Sequence, residues 1–425
     1  MRGPPLGQCS RRLNPSGPPP IPPSAPNAPP HDGGIIGSRA ARVTIVMSAL
    51  FAGMGVALPY LGRWLEVERG LNGAEIGAVL SLAQLTRVVI GPAIGFWSDG
   101  AADRRMPVRL VALIAAIAYA AFFFLAHDFW SLLVLGFIAL TLTQALNPLI
   151  EAATLRATAE GRMSYGVARG IGSAAFIVAN VLGGVLMARF GAGAVAWWVV
   201  GAYIACALSA WTHLPPEPAP GDAAHRTVAA RYGAVGALLR DRRFVLLIVS
   251  CGLIQASHAF FYGFSVLVWR GQGVGADLIG VLWAFGVAVE VAFLWTLPWF
   301  ERRATPEALI LVGAIGGVVR WTALGFAPLG WVLWPLQALH ALTFAATHVG
   351  AMRLLFRDTP DNAAGAAQTL YSALSGGLLL GVATLGSGVL YDFGGAIGYW
   401  AMAAMAGLGA LVALALARTP ARRIS

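Results

Sequence analysis

A chain of 425 residues that is 58% hydrophobic and 11% charged cannot cover itself with an ordinary aqueous surface. Its mean hydropathy of +0.71 places it in a bilayer instead. The net charge of +10, which in a soluble protein would suggest a nucleic-acid partner, sits in alternate loops and reads as membrane orientation rather than nucleic-acid binding. Cys9, Cys206 and Cys251 are too far apart for a disulfide framework or a zinc spacing.

Residues 1–38 hold eleven of the 25 prolines. They lack the apolar core of a signal peptide and read as a disordered segment. Apolar runs follow at 43–64, 73–97, 108–126, 130–155, 165–189 and 194–213, then at 244–269, 276–300, 307–326, 330–356, 365–391 and 395–417. Each is long enough to cross a hydrocarbon core of about 30 Å. Unpaired backbone groups cannot face lipid, so each run is expected to be a closed helix. The fold expected is an all-α membrane protein of twelve helices.

Alternate loops carry Arg104, Arg105 and Arg109; Arg156 and Arg162; Arg226, Arg231, Arg240, Arg242 and Arg243; Arg302 and Arg303; Arg353 and Arg357. The excess of Arg predicts that both termini are cytoplasmic, in a bacterial inner membrane. Residues 214–243 read as a cytoplasmic linker between halves 39–213 and 244–425. Its Arg231–Arg243 portion is amphipathic and suits the lipid surface.

Repeats support the halving. The segment 183–191, Gly-Gly-Val-Leu-Met-Ala-Arg-Phe-Gly, matches 386–394, Gly-Ser-Gly-Val-Leu-Tyr-Asp-Phe-Gly. A finer repeat places Gln144, Asn147 and Glu151 in helix 4, Gln255, His258 and Tyr262 in helix 7, and Gln337, His340 and Phe344 in helix 10. The spacing i, i+3, i+7 puts each set on one helix face. Such faces at repeat interfaces predict a polar cavity.

Arg87, Glu151, Arg169, Glu290 and Arg320 each stand inside an apolar run. Each would cost about 2.5–3.5 kcal/mol at the bilayer centre if unpaired. They are tolerable only if they pair or face water within a bundle, which points to transport. No P-loop, HExxH or CxxC is present, and the loops are too short for a soluble catalytic domain. That argues against an enzyme, an ATP-driven pump or a bound metal. Gly91/Gly95, Gly166/Gly170 and Gly377/Gly381 have the spacing of close helix contacts.

The loop Gly95-Phe-Trp-Ser-Asp99-Gly-Ala-Ala-Asp103-Arg104-Arg105 resembles the signature of the major facilitator superfamily, although Gly100 stands where a basic residue is usual. The second-half counterpart, Pro298-Trp-Phe-Glu301-Arg302-Arg303, is more degraded. Further matches are Tyr165 to Phe176, Glu290, Arg320-Trp321, Gln337-Ala-Leu-His340 and Gln368-Thr-Leu-Tyr371. Together they are similar to the phenylpropionate permease group, related to lactose permease and the nucleoside–proton symporters.

The resemblance implies two pseudo-symmetric six-helix halves, alternating access and proton symport by a monomer without cofactor. Glu151 and Arg169 match residues that contact sugar in lactose permease. Glu290, Arg320 and His340 match residues that couple the proton there. Thr343 stands where that permease has a second acid. Gly95, Asp99, Arg104 and Arg105 match the loop that holds one conformation.

Read from the residues themselves, Glu290 lies between Val289 and Val291. An apolar cavity favours the neutral form of a carboxylate, which suits a proton carrier that pairs with Arg320 when charged. His340 can relay the proton. Gln144, Asn147, Gln255, His258, Tyr262, Gln337, Gln368 and Tyr371 are expected to line the substrate site. Arg87 either neutralises a substrate carboxylate or is a structural charge. The positive excess favours an aromatic or other organic carboxylate as substrate. Alternatives are a sugar or nucleoside symporter, a proton-driven exporter of hydrophobic compounds and, from another class, a membrane sensor or enzyme.

Overall fold

The computed structural model describes residues 37–159, 161–217, 235–300, 304–360 and 363–420, leaving aside the side chains of Phe96, Asp99 and Phe300. The Pro-rich segment up to residue 36, linker residues 218–234, Glu301 to Arg303 and the chain after residue 420 therefore lie outside the described residues. Among those described there is no strand.

The first six helices are α1 (Arg39–Arg69), α2 (Gly73–Asp99), α3 (Arg105–Phe124), α4 (Phe129–Thr158), α5 (Tyr165–Phe190) and α6 (Ala194–His213). Side-chain caps set the starts of α1, α4 and α5. The Ser38 hydroxyl accepts from the Ala41 N–H, Asp128 and Ser131 form a reciprocal capping box, and Ser164 caps α5. Gly70, at φ 67°, ends α1 in a conformation that favours glycine.

The second half begins with α7, in two pieces, Arg242–Ala256 and Ala259–Gly271. Then come α8 (Ala276–Phe300) and α9 (Pro306–Gly325). Helix α10 runs through Leu333–Ala338, a π-helical stretch Ala341–Ala346 and Thr347–Asp358. Helix α11 runs through Ala364–Tyr371, a second π stretch Ser372–Leu379 and Leu380–Gly394. The last is α12 (Gly398–Arg418). Among the described residues, ten helical stretches are long and apolar enough to cross a membrane. The last of them, Ala364–Arg418, contains both α11 and α12. With the π-interrupted α10, the count is the twelve expected.

The breaks correct the helix-face argument in part. Residues 257–258 form a turn in α7, and α10 leaves α-helical geometry after Ala338. The 100° step therefore does not carry through Gln255, His258 and Tyr262, or through Gln337, His340 and Phe344.

In the first half α1 packs on α5 and α6, and α3 packs on α4 and α6. In the second, α9 packs on α12 and α10, and α12 packs on α7. The halves meet along three seams, α1 with α7, α2 with α11, and α5 with α8. At one end the seams are closed by glycine. A Cβ on Gly184 would lie 2.5 Å from the Ala276 carbonyl, and one on Gly77 would lie 3.1 Å from the Gly388 Cα.

At the other end, which carries Arg39 and Arg418, the halves stand apart. A Cβ on Gly91, Gly95 or Gly170 would meet no atom within 4 Å. The close packing expected of the glycine pairs holds for Gly377/Gly381, which press on α2 at Gln84 and Leu85. It does not hold for Gly91/Gly95 or Gly166/Gly170, which line open space. The molecule is open toward the end that bears both termini of the described chain.

Candidate transport site

Two cavities without a shared lining residue lie between the halves. The larger, of about 650 Å³, is walled by α1, α5, α7, α8, α9 and α10. Its apolar walls are aromatic, with Phe51, Phe261, Tyr262, Trp283 and Phe344. Its polar groups include Glu290, His340, Arg320, Gln337 and His348 in the second half and Arg169, Tyr165 and Ser173 in the first.

Arg320, on α9, is fully buried. Its Nη1 donates to His340 Nδ1 at 3.1 Å and to Thr343 Oγ1 at 3.3 Å, and its Nη2 donates to Gln337 Oε1 at 2.7 Å. Its plane is flanked by the rings of Phe261 and Trp321, 4.7 and 4.5 Å from the guanidinium carbon. A guanidinium has no acceptor, so its bond to Nδ1 requires that nitrogen to be unprotonated. In a neutral ring the hydrogen is then on Nε2, which faces Glu290 Oε2 at 3.3 Å.

The result is a directed chain, Arg320 to His340 to Glu290, that ends on a carboxylate at the cavity wall. The direct Glu290–Arg320 pair expected from the sequence is replaced by this relay. The guanidinium is already held by His340, Gln337 and Thr343, and His340 stands between it and the acid.

The π stretch of α10 carries Thr343. The Thr343 hydroxyl is also 2.9 Å from His258 Nε2. His258 Nδ1 faces the carbonyls of Ile254 and Gln255 at 3.2 and 3.1 Å. Those acceptors put the ring hydrogen on Nδ1, so Thr343 donates to Nε2 and accepts from Arg320. His258 is wholly buried and acts as a brace for Thr343, not as a cavity wall.

Near the open end, Arg169 Nε pairs with Glu151 Oε1 at 3.0 Å. The Tyr165 hydroxyl donates to the other carboxylate oxygen. Arg169 Nη1 donates to Ser173 Oγ at 2.8 Å, and the guanidinium lies 4.5 Å from the Phe51 ring. The smaller cavity, of about 440 Å³, lies between α2, α4 and α11 and is lined by Arg87, Thr141, Gln144, Gln368 and Ser372 among others.

This architecture has relatives. The model described as "MFS_1 like family" matches residues 41–402. The chain belongs to that family, within the major facilitator superfamily. A protein named "Probable 3-phenylpropionic acid transporter" from Escherichia coli (strain K12) is 30% identical, over 84% of this chain and 92% of that protein. A maltose permease of Geobacillus stearothermophilus is 27% identical, over 81% of this chain and 85% of its own. The crystal structure of the nucleoside transporter NupG superposes with a TM-score of 0.77 at 15% identity, covering 90% of this chain and all of that one. An inward-facing bacterial homologue of Spinster gives 0.70 at 14%, covering 89% and 96%. The chain is a secondary transporter of the superfamily and an integral membrane protein.

Within this superfamily member the sequence-chosen residues separate. Glu290, Arg320, His340, Gln337, Tyr262 and Arg169 line the larger cavity, and Arg87, Gln144 and Gln368 line the smaller. Glu151 joins the larger site through Arg169. Besides Glu151 and the buried His258, three more choices line neither cavity. Gln255 Nε2 donates to the Phe344 carbonyl at 3.4 Å. The Asn147 Oδ1 is buried without a partner. Tyr371 sits in a hydrophobic cluster with Cys251 and Ile254. Tyr371 is the last α-helical residue before the π stretch of α11.

Sequence reasoning gave Thr343 weight only as a missing acid, whereas it is the hub between Arg320 and His258. Among the described residues, the superfamily loop is held through Asp103. Arg105 Nε is 2.5 Å from Asp103 Oδ2, and the N–H groups of Arg105 and Glu217 donate to Oδ1. Burial pushes the Asp103 carboxyl up, but these donors outweigh it and hold it below the usual carboxylate range. The Asp99 side chain lies outside the described residues. The Arg104 N–H donates to the Glu217 carbonyl, which ties the loop to the chain after α6.

Proposed function

We propose that the protein couples proton entry to uptake of a small organic carboxylate with an aromatic body, by alternating access. The observation that carries the reading is the Arg320–His340–Glu290 chain ending at an aromatic-walled cavity. A proton taken by Glu290 neutralises the group toward which His340 Nε2 points. Charge and hydrogen bonding at the cavity wall then change together. The substrate can shift the two states only by its differential affinity for them.

Glu151 and Arg169 contact the substrate from the first half in this reading. The excess of Arg87, Arg169 and Arg320 over Glu151 and Glu290 favours an anion, as does the relative named for 3-phenylpropionic acid. The Arg-rich end is cytoplasmic, so the present state is inward-open. The halves are 39–213 and 244–425, joined by the linker 214–243, and the working unit is the monomer in contact with membrane lipid.

The test is Glu290→Gln in proteoliposomes with labelled 3-phenylpropionate. Exchange across the membrane should persist while accumulation driven by a pH gradient disappears. Undiminished accumulation would overturn the proton assignment. Binding itself is read separately from the rise in apparent stability that a ligand of the folded state produces.

A further inference from the structure

Arg87 differs from the other two intramembrane arginines. Arg169 is paired with Glu151. Arg320 spends its terminal nitrogens on His340, Thr343 and Gln337. Arg87 has no hydrogen bond or ion pair among the described residues, and no acid lines its cavity. The side chain is half-buried at the cavity wall, and a guanidinium partly withdrawn from water without an anion is costly.

The surroundings are shaped around it. A Cβ on Gly376 would lie 3.3 Å from Arg87 Nη1, and one on Gly377 would lie 3.5 Å from Arg87 Cβ. The side chain therefore runs along the bare backbone of α11, within its π stretch. Across the cavity, Thr141 Oγ1 and Gln144 Oε1 are buried without a partner. A carboxylate on Arg87 can take two parallel N–H bonds from the planar fork. The Thr141 hydroxyl, unspent as a donor, can serve a remaining lone pair. The volume of about 440 Å³ is that of a small-ligand site.

We infer that the substrate carboxylate seats on Arg87 in the cavity between α2, α4 and α11, whose lining shares no residue with the proton-coupling chain. This rests on the carboxylate reading above and assigns to one arginine the charge recognition that the reading requires.

The experiment compares binding of 3-phenylpropionate and its neutral amide, 3-phenylpropanamide, to the purified full-length protein by calorimetry. Wild type should prefer the carboxylate. Arg87→Gln should weaken carboxylate binding by roughly 10- to 100-fold, the range for losing a charged hydrogen-bond partner, and leave the amide unchanged. Arg87→Lys should retain part of the preference. Gly376→Ala, which keeps the charge but presses on Nη1, should reduce it less than Arg87→Gln does. If Arg87→Gln does not fold, the ratios in Arg87→Lys and Gly376→Ala decide. A wild-type preference that survives in the Arg87 variants overturns this seat and leaves the carboxylate reading standing. A wild type that binds amide and carboxylate alike overturns that reading, and the seat with it.

Discussion

Asp392 of α11 caps α2 across the boundary between the halves: its two carboxylate oxygens accept from the N–H groups of Gly73 and Ala74 at 2.7 and 2.8 Å. Its neighbour Tyr391 donates to Glu66 Oε1 of α1 at 3.0 Å. Two consecutive residues of the second half thus close the end of the molecule away from the termini. The contact exists only while that end is shut. A carboxylate is favourable at a helix N-terminus, and the closeness of Gly73 leaves no room for a side chain between them.

Asp392→Ala is therefore expected to favour the opposite, outward-open state. Removing a cap costs about 1 kcal/mol, which is roughly a fivefold shift in the ratio of states. Spin labels at Val67 and Ile397, both exposed at this end, should report a larger population of long distances. An unchanged distance distribution would show that the cap does not govern the gate.

The sequence made the cast of the site legible and its wiring illegible. Glu290 and Arg320 were visible because a charge in an apolar helix is expensive and must be compensated, and His340 because Gln337 and His340 repeat the spacing of Gln255 and His258. The order of contact was not visible. Whether His340 lies beside or between the two charges depends on the π turn after it, and π geometry leaves no periodic mark in an Ala-rich helix. The same turn promotes Thr343 to a hub. The glycine pairs were recognised as contacts, but spacing alone cannot say in which state of the cycle two surfaces meet. Gly377 and Gly381 are packed here, whereas Gly91 and Gly170 face open space.

That difference among glycines gives a second expectation. A Cβ at Gly91 or Gly170 meets nothing within 4 Å in the present state, and Gly91→Leu and Gly170→Leu gain helix propensity, so thermal stability should be kept or rise slightly. Transport must bring this end together. A clash of only ~1.4 kcal/mol in the closing step slows it about tenfold. Exchange of substrate in proteoliposomes should fall by at least that factor while thermal stability persists. Full exchange rates in both variants would mean that these faces never close on each other.

Arg320 has the opposite profile, a structural centre that also touches the cavity. Arg320→Met removes the donor to His340, Gln337 and Thr343 at once and leaves their buried acceptors unpaired. Breaking such a buried charged network costs about 3–5 kcal/mol, so the apparent Tm in detergent should drop markedly. Arg320→Lys keeps the charge but offers a point donor in place of a fork and should recover only part of the loss. A thermal scan unaffected by Arg320→Met would show that the network contributes nothing to folding.

Glu151 and Arg169 separate binding from stability most cleanly. Their side chains are 24% and 38% exposed. An ion pair in contact with solvent contributes about 0–1 kcal/mol to folding, so alanine at either position should move the Tm by little. Binding is a different matter, because the pair and Tyr165 hold the Arg169 fork in place at the cavity mouth. Glu151→Ala frees Arg169 to swing toward solvent. Arg169→Ala removes the donor altogether, and Tyr165→Phe deletes one hydrogen bond to Glu151 and leaves the pair. Substrate affinity should therefore fall most for Arg169→Ala, less for Glu151→Ala and least for Tyr165→Phe, with losses of roughly tenfold or more in the first two. Calorimetry on the purified variants measures the affinities and a thermal scan of the same samples checks the fold. Unchanged affinity in both alanine variants would remove the first-half pair from the substrate site and leave recognition to the second half and the smaller cavity.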